Sequence, residues 1–179
     1  MAENETGKKK VRKSHRLRNR LFLIITLLLC AAVVTVLTNK IYRIYGAAML
    51  PNLSEGDVVI AVKDSSPGQG DVIAIKYNNK ILIRRVIAVA GDEVDMDSGG
   101  NVFINQRMLQ EPYLTGKSLE NCDIDLPHKV AEGSVFVMGD NRALALDSRQ
   151  SKIADIPVEN VLGKVAVRIW PFKRIGLVR

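Results

Sequence analysis

Two short strings hold most of the residues that could do chemistry in this 179-residue chain. The first contains the paired cations Arg84 and Arg85, and the second, residues 139–149, contains Asp147 and Arg149. Opposite charges on two segments can form an ion pair that holds one segment against the other. The charges of the two strings can therefore pair with each other.

Metal and cofactor chemistry have no support in the sequence. The chain has two histidines, His15 and His128, and two cysteines, Cys30 and Cys122, each pair widely separated. Metal centres need several such ligands close together, and a carboxylate-only cation site would need a loop signature that we do not find. The sequence predicts no metal, no cofactor and no disulfide.

The chain beyond residue 45 predicts a mainly β domain. Four β-branched runs are bounded by Gly, Pro, Asn and Asp, as expected for strands of antiparallel sheets. They are Asp57–Lys63, Asp71–Tyr77, Lys80–Ala90 and Ser134–Met138. A turn of helix is predicted around residues 158–161, within Ile153–Val165.

The first 45 residues have a different character. Leu21–Thr38 is an uncharged run of 18 residues, which as a helix would be about 27 Å long and would just cross the hydrocarbon core. Residues 1–20 carry eight Lys or Arg, and residues 39–45 carry two. This asymmetry predicts a basic cytoplasmic tail, a retained single-pass anchor over residues 21–38, a juxtamembrane segment over 39–45 and an extracytoplasmic domain over 46–179.

Two other interpretations of the apolar run are weaker. A cleaved signal peptide has a shorter apolar region of about 7–15 residues followed by a small-residue cleavage site, whereas Lys40 and Arg43 follow here. A buried core helix would not need basic residues on both flanks. We predict location in a bacterial cytoplasmic membrane, with the lipid bilayer as one partner.

The charge distribution also excludes a nucleic-acid partner. The net charge is +7, but residues 1–45 hold ten of the 26 basic residues and two of the 19 acidic ones, which leaves 16 and 17 for residues 46–179. A nearly neutral domain offers no basic face for phosphates.

Four strings, in this order, resemble the bacterial type I signal peptidases, which are membrane-anchored serine endopeptidases. They are Gly46–Leu53, Gly70–Ile73, Ile83–Asp92 and Gly139–Arg149, and Val161–Phe172 is similar to the C-terminal strand of that family. The resemblance implies a membrane helix followed by an external domain of twisted antiparallel sheets. It also implies a Ser nucleophile, a neutral Lys base and a second Ser that orients the Lys.

This chain departs from the family pattern at all three of those positions. The nucleophile position is Ala48, the base position is Arg84 and the orienting position is Ala145. Alanine has no lone pair, and arginine keeps its proton because its pKa exceeds about 12. Asn52 stands where the family usually has Thr. The other motif residues match, namely Met49, Pro51, Arg85, Gly91, Asp92, Asp140, Asn141, Arg142, Asp147 and Arg149.

Losses in three separate strings, with the scaffold residues kept, favour a natural member of the family that has lost its catalytic residues. An engineered inactive variant and a displaced catalytic pair such as Ser54 with Lys63 stay open as alternatives. The resemblance also implies that Arg85 and Asp147, with Arg149 nearby, form an ion-pair cluster that braces residues 83–92 against residues 139–149. Asp140, Asn141 and Arg142 are expected to close a turn.

Peptide binding does not need the catalytic atoms. In the family, substrate lies as an added strand in a groove with shallow apolar pockets, a recognised mode of peptide binding. The corresponding residues here are Ile44, Tyr45, Gly46, Ala47, Met49, Leu53, Leu82 and Ile83. Leu82 and Ile83 could instead belong only to the strand core.

Two functions follow from this sequence. The first is a non-catalytic accessory or chaperone-like binder of exported polypeptides, such as a pilin or a sortase during pilus assembly. The second is an active signal peptidase that uses residues we have not identified.

Overall fold

The computed structural model describes residues 18–31, 34, 39–63, 66–120 and 122–178. The chain divides into two compact units, Met1–Asn39 and Lys40–Arg179. In the first unit, residues 18–31 and 34 are helical. Within the described part of the chain, no helix is both long enough and apolar enough to cross a membrane. Of the predicted anchor, residues 32–33 and 35–38 lie outside the described residues, as do residues 1–17 of the predicted tail.

The second unit is built from short strands. The strands are β1 (Lys40–Arg43), β2 (Val58–Val62), β3 (Val72–Tyr77), β4 (Lys80–Val89), β5 (Glu93–Met96), β6 (Val102–Ile104), β7 (Arg107–Met108), β8 (His128–Lys129), β9 (Ser134–Met138), β10 (Ile156–Pro157), β11 (Val161–Trp170) and β12 (Gly176–Leu177). Two single-turn 3₁₀ helices cover Val158–Asn160 and Phe172–Arg174.

These strands form two antiparallel sheets. The larger sheet has the order β1-β2-β11-β3-β4-β9-β10, with β12 paired to β11, and the smaller has the order β7-β6-β5-β8. Strand pairing is antiparallel throughout both sheets. The predicted mainly β, antiparallel architecture is confirmed, and each of the four predicted runs contains a strand.

The structure differs from the sequence interpretation at two elements. The predicted helical turn is the short 3₁₀ helix Val158–Asn160, which Pro157 precedes. Strand β1 lies inside residues 39–45, which we expected to be a juxtamembrane connection. It forms because its backbone pairs with β2 from Lys40↔Ala61 to Arg43↔Val58, although most of its side chains are exposed.

A hydrophobic cluster supports the segment that follows β1. Its buried members are Ile44, Met49, Leu53, Val59, Ala61, Val72, Ala74, Ile83 and Val165. The cluster joins residues from the turn after β1 to residues of β2, β3, β4 and β11. Burial of this apolar surface fixes the turn against the larger sheet.

Strand β4 leaves half of one edge unpaired. β3 covers the first edge over the register Tyr77↔Lys80 to Val72↔Arg85. On the second edge β9 pairs only from Arg85↔Met138 onward. Among the described strands, none covers the second edge of residues 80–84, and β1 pairs with β2 alone. Two strands therefore present unpaired backbone groups.

A buried ion pair holds β4 to the segment that follows β9. Arg85 Nε donates to Asp140 Oδ1 at 2.8 Å and Arg85 Nη2 donates to Asp140 Oδ2 at 2.7 Å, with both side chains almost fully buried. Two parallel hydrogen bonds between a guanidinium and a carboxylate fix the relative orientation of the two groups.

The partner predicted for Arg85 is therefore wrong, because we expected Asp147. The register pairs Arg85 with Met138, so Asp140, two residues further along, lies next to the guanidinium. Asp147 instead accepts hydrogen bonds from Arg149 at 2.9 and 3.0 Å, and Arg149 Nη2 also donates to Arg142 O at 2.6 Å. The expected single cluster is two separate pairs, each of which closes its own part of the structure.

Removal of the Arg85 side chain should destabilise the protein strongly. Arg85→Ala leaves the carboxylate of Asp140 buried without its cation, and such a change costs about 3–5 kcal/mol of unfolding free energy. The matched control is Lys164→Ala, which removes the cation of a partly exposed pair with Asp71 and should cost less than about 1 kcal/mol. Denaturant unfolding of both variants, followed by circular dichroism, measures the difference. Equal losses would show that the Arg85–Asp140 pair does not hold these segments together.

Candidate functional site

One cavity contains most of the residues expected to form a peptide groove, together with Ala48 and Arg84. It has a volume of about 820 Å³. Its lining comes from β1 and the turn after it, from the first half of β4, and from two leucines of residues 139–149. The lining residues are Ile41, Tyr42, Arg43, Ile44, Tyr45, Gly46, Ala47, Ala48, Met49, Asn79, Lys80, Ile81, Leu82, Ile83, Arg84, Leu144 and Leu146.

A compact turn presents Ala48 to the cavity. Leu50 N donates to Ala47 O at 3.2 Å, and Leu53 N donates to Met49 O at 2.8 Å. Met49 and Leu53 are buried in the core on either side of this turn, so Ala48, which is half-buried, remains at the cavity wall.

Asn52 connects the same turn to the buried ion pair. Asn52 Nδ2 donates to Asp140 Oδ2 at 2.7 Å and to Tyr113 O at 3.0 Å. Asp140 therefore accepts hydrogen bonds from both Asn52 and Arg85. The turn, β4 and the segment after β9 meet at this one carboxylate.

Gly139 allows positions 48 and 145 to come together. A Cβ atom on Gly139 would lie 2.3 Å from Ala145 Cβ and 2.6 Å from Ala48 O, which is too close for any side chain. Asn141 N donates to Ala48 O at 2.9 Å, and Ala145 N donates to Asn141 O at 3.0 Å. The second of these bonds closes a turn that begins at Asn141, within the segment where the sequence predicted a turn. Ala145 is buried behind Gly139 and does not line the cavity.

Arg84 places a cation in the cavity wall. Its side chain is 6% exposed. Nε donates to Leu146 O at 2.8 Å and Nη1 donates to Ile83 O at 2.5 Å. Burial lowers the pKa of the Arg84 guanidinium from its ordinary value, and the charge of Asp147 opposes that shift. An arginine pKa begins so high that the group stays protonated at physiological pH.

A second layer of polar contacts covers the Arg85–Asp140 pair. The Arg85 guanidinium lies 4.0 Å from the centroid of the Tyr113 ring, and Tyr113 Oη donates to Glu111 Oε1 at 2.7 Å. Burial and the neighbouring Glu111 carboxylate raise the pKa of the Tyr113 hydroxyl. Glu111 also forms a buried ion pair with Arg142. These contacts keep water away from the ion pair on which the cavity depends.

Seven of the eight residues expected to form a peptide groove line this cavity. They are Ile44, Tyr45, Gly46, Ala47, Met49, Leu82 and Ile83. Leu53 does not, since it is 1% exposed and belongs to the core cluster. Gly46 lies in a bend after β1 and not at the start of a strand.

Sequence reasoning missed several lining residues. Leu144 and Leu146 lie on either side of Ala145. Their position next to a motif residue was a signal that we did not use. The sequence analysis used Arg43 only as a basic residue beside the apolar run, and Lys80 only as the first residue of a predicted strand. Both residues line the cavity because the edges of β1 and β4 face the same space. The spacing of residues along the chain does not show that these two edges lie near each other.

The described lining lacks the residue types that usually cleave peptide bonds. It contains no Ser, Thr, Cys, His, Asp or Glu. Among the described residues, no three His, Cys, Asp or Glu side chains lie close enough together to hold a metal ion.

The displaced pair Ser54 and Lys63 has no support from the geometry. The two residues lie beyond opposite ends of β2, a five-residue strand that spans about 17 Å. Ser54 Oγ instead accepts a hydrogen bond from Arg174 Nη1 at 2.9 Å. Ser54 cannot transfer its proton to Lys63 across that distance.

Comparison with known proteins gives consistent matches. The family model described as "Signal peptidase, peptidase S26" matches residues 17–170. The "Probable signal peptidase I-2" of Synechocystis sp. is 34% identical over 144 residues, which cover 74% of this chain and 63% of that protein. The "Signal peptidase I" of Leptolyngbya laminosa is 35% identical over 143 residues, with 72% and 68% covered. The "Signal peptidase I" of Bacillus licheniformis is 31% identical over 180 residues, with 91% and 96% covered.

A solved structure is also similar. The crystal structure of a signal peptidase I from Enterococcus faecalis V583 shares 26% identity and a TM-score of 0.46, covering 56% of this chain and 97% of that chain. The family assignment rests on the sequence matches. The family model spans most of the chain, and two of the relatives exceed 30% identity with more than two thirds of each partner covered. This chain belongs to the signal peptidase family, peptidase S26.

Proposed function

We propose that this protein is a non-catalytic member of the signal peptidase family that binds extended segments of exported polypeptides. The observation that carries the proposal is the cavity lining, which in the described residues contains no Ser, Thr or Cys side chain and no carboxylate or imidazole. The positions that the family resemblance assigns to nucleophile, base and orienter are Ala48, Arg84 and Ala145.

Peptide-bond cleavage by the family mechanism needs a lone pair and a proton acceptor. Ala48 supplies no attacking atom. Arg84 keeps its proton and cannot activate a hydroxyl or a water molecule. Lys80 lines the cavity but is exposed at the start of β4, whereas the family mechanism uses a lysine held in a largely apolar site.

Peptide binding has the groups that it needs. An extended segment can add to the unpaired edges of β1 and β4 through main-chain hydrogen bonds. The wall between these edges is mostly apolar and includes the small residues Gly46, Ala47 and Ala48. Main-chain bonds would supply affinity, and the shallow wall would select segments with small side chains.

The site of action and the partners belong to the same proposal. The apolar run of residues 21–38 would anchor the chain in a bacterial cytoplasmic membrane, with residues 1–20 inside and the β domain outside. The client would be an exported polypeptide, with a pilin or a sortase partner in pilus assembly as the specific case. The pseudoenzyme assignment concerns function alone and leaves the family membership unchanged.

A second candidate is an active signal peptidase. The names of the relatives, which are signal peptidases at 31–35% identity, support this candidate more directly than they support our proposal. Such an enzyme would need a nucleophile from outside the described lining. Incubation of the full-length protein with an exported precursor separates the two, since the enzyme would release a mature product and the accessory protein would bind without cleavage.

We predict that restoration of the nucleophile alone will not restore cleavage. In Ala48→Ser the new hydroxyl would share the cavity with Arg84, which accepts no proton. A competent site requires Arg84→Lys and Ala145→Ser in addition, because the base must be neutral and held in position. Mass spectrometry of a precursor after incubation in detergent measures the product.

The matched control for that series is Ala90→Ser, which adds the same hydroxyl at an exposed turn beyond β4. It should be inactive in every combination. Turnover by the unmodified chain would establish the second candidate. Cleavage by Ala48→Ser alone would show that a base other than residue 84 is present.

We predict that Leu144→Ala weakens binding of an uncharged, alanine-rich extended peptide by about fivefold. The loss corresponds to about 1 kcal/mol of apolar contact that an exposed leucine of the cavity wall makes when a peptide covers it. Leu177→Ala is the control, because Leu177 lies in β12, outside the lining of the cavity, and is 67% exposed compared with 68% for Leu144. Fluorescence anisotropy measures both affinities. Equal affinity for the two variants would place the peptide site elsewhere.

The proposed topology predicts that protease added to intact protoplasts degrades the β domain. An epitope tag on the N-terminus should resist the added protease, because the eight basic residues of the tail would keep that end in the cytoplasm. Immunoblots with antibodies to the tag and to the domain read out both ends. Protection of the domain, or mature protein that lacks residues 21–38, would contradict the anchor and its orientation.

A further inference from the structure

Arg84 is a buried cation without a carboxylate partner. In the described part of the chain its hydrogen bonds go to two main-chain carbonyls, those of Leu146 and Ile83. The ion pairs between described residues involve other cations. Asp147 and Asp140 attract this charge, but their ion pairs are with Arg149 and Arg85. A ligand that places a negative group directly on the Arg84 guanidinium therefore gains interaction energy.

One nitrogen of Arg84 remains available to a ligand. Nη2 makes no hydrogen bond to another described residue. In the described residues, the side-chain nitrogen and oxygen atoms that are fully enclosed and lack a hydrogen-bond partner are Tyr42 Oη and Gln150 Oε1. Arg84 Nη2 is not among these enclosed atoms. Nη2 is therefore not fully enclosed, and the residue to which it belongs lines the cavity.

The charged groups of the cavity have one sign. Arg43, Lys80 and Arg84 line it, and the described lining includes no Asp or Glu. Such a wall attracts an anionic ligand. Since the rest of the wall is mostly apolar, the matching ligand is an apolar segment that carries one negative group near Arg84.

The topology determines which part of a bound peptide meets Arg84. The unpaired edge of β4 runs from Lys80 to Arg84, and β9 occupies the same edge from Arg85 onward. A segment added along this edge must end or turn away at Arg84. A segment that ends there carries either an α-carboxylate or an α-ammonium, and like charge beside Arg84 excludes the ammonium.

We propose that the cavity binds the free C-terminal carboxylate of an extended polypeptide through Arg84. The bound chain runs parallel to β4, with its last residue at the wall formed by Ala48 and its carboxylate on Nη2. This inference rests on the proposed function, because it uses the same edge of β4. The ligand class is a chain end, such as the peptide that an active peptidase releases, in preference to an uninterrupted precursor.

The test uses full-length protein in detergent micelles and three six-residue alanine- and valine-rich peptides with a fluorophore at the N-terminus. One ends in a free carboxylate, one ends in an amide, and one ends in an amide and carries an internal Glu. A charge-assisted hydrogen bond that the amide cannot form should make the free acid bind about tenfold more tightly than the amide. The internal Glu peptide should bind like the amide.

Variants test whether Arg84 causes the preference for the free acid. Arg84→Gln should reduce the ratio of acid affinity to amide affinity to about one, and Arg84→Lys should keep part of that preference. Arg107→Gln is the matched control, because Arg107 is exposed in β7 of the smaller sheet, and it should keep the full ratio. Binding of the amide peptide by Arg84→Gln verifies that this variant is folded.

Each contrary result has a distinct meaning. If neither the acid nor the amide binds the unmodified protein, the proposed peptide-binding function and this inference both fail. If acid and amide bind equally, peptide binding stands and the carboxylate site is wrong. Equal binding of the acid and the internal Glu peptide would refute the chain end as the ligand. If only phosphatidylglycerol vesicles show binding that depends on Arg84, the cation serves a lipid headgroup and the inference is wrong.

Discussion

The carboxylate of Asp140 is the constraint on which the cavity depends. It accepts two hydrogen bonds from Arg85 and one from Asn52, and its side chain is fully buried. A buried carboxylate must be compensated in this way, because an unpaired charge in the interior is strongly destabilising. The compensation joins β4, the turn after β1 and the segment after β9, so the three parts of the cavity wall are positioned by one group.

The contacts that shape the cavity are separate from the atoms that a peptidase needs. Main-chain hydrogen bonds and the close approach at Gly139 position residues 48 and 145 whatever their side chains. Replacement of a hydroxyl by alanine at either position removes chemistry without removing these contacts. The cavity and the open edges of β1 and β4 therefore do not depend on hydroxyl groups at positions 48 and 145.

The presence of Arg84 places a permanent charge in the cavity wall. A neutral lysine in an apolar wall needs no counter-ion, whereas a guanidinium does. Its bonds to Leu146 O and Ile83 O satisfy some of its donors, and Asp147 and Asp140 attract its charge without forming a salt bridge to it. A guanidinium at this position therefore favours ligands that bring a negative group.

The sequence by itself determined the β-rich domain, the separation of a basic and apolar N-terminal region from a nearly neutral domain, and the three altered motif positions. The first two features are local, because strand propensity and hydrophobicity are read from neighbouring residues. The three motif positions and the eight expected groove residues came instead from the resemblance to the family. Seven of those eight residues line the cavity.

Only the tertiary structure decided the partner of Arg85, the burial of Leu53 and the membership of Arg43, Lys80 and Leu144 in the cavity. Each depends on register or on which strand edges face one space. The pairing of Arg85 with Met138 places Asp140 beside the guanidinium and leaves Asp147 to Arg149. Several carboxylates follow β9 in the chain, and their spacing cannot choose between them, because the choice depends on how far β9 extends along β4 before the backbone turns.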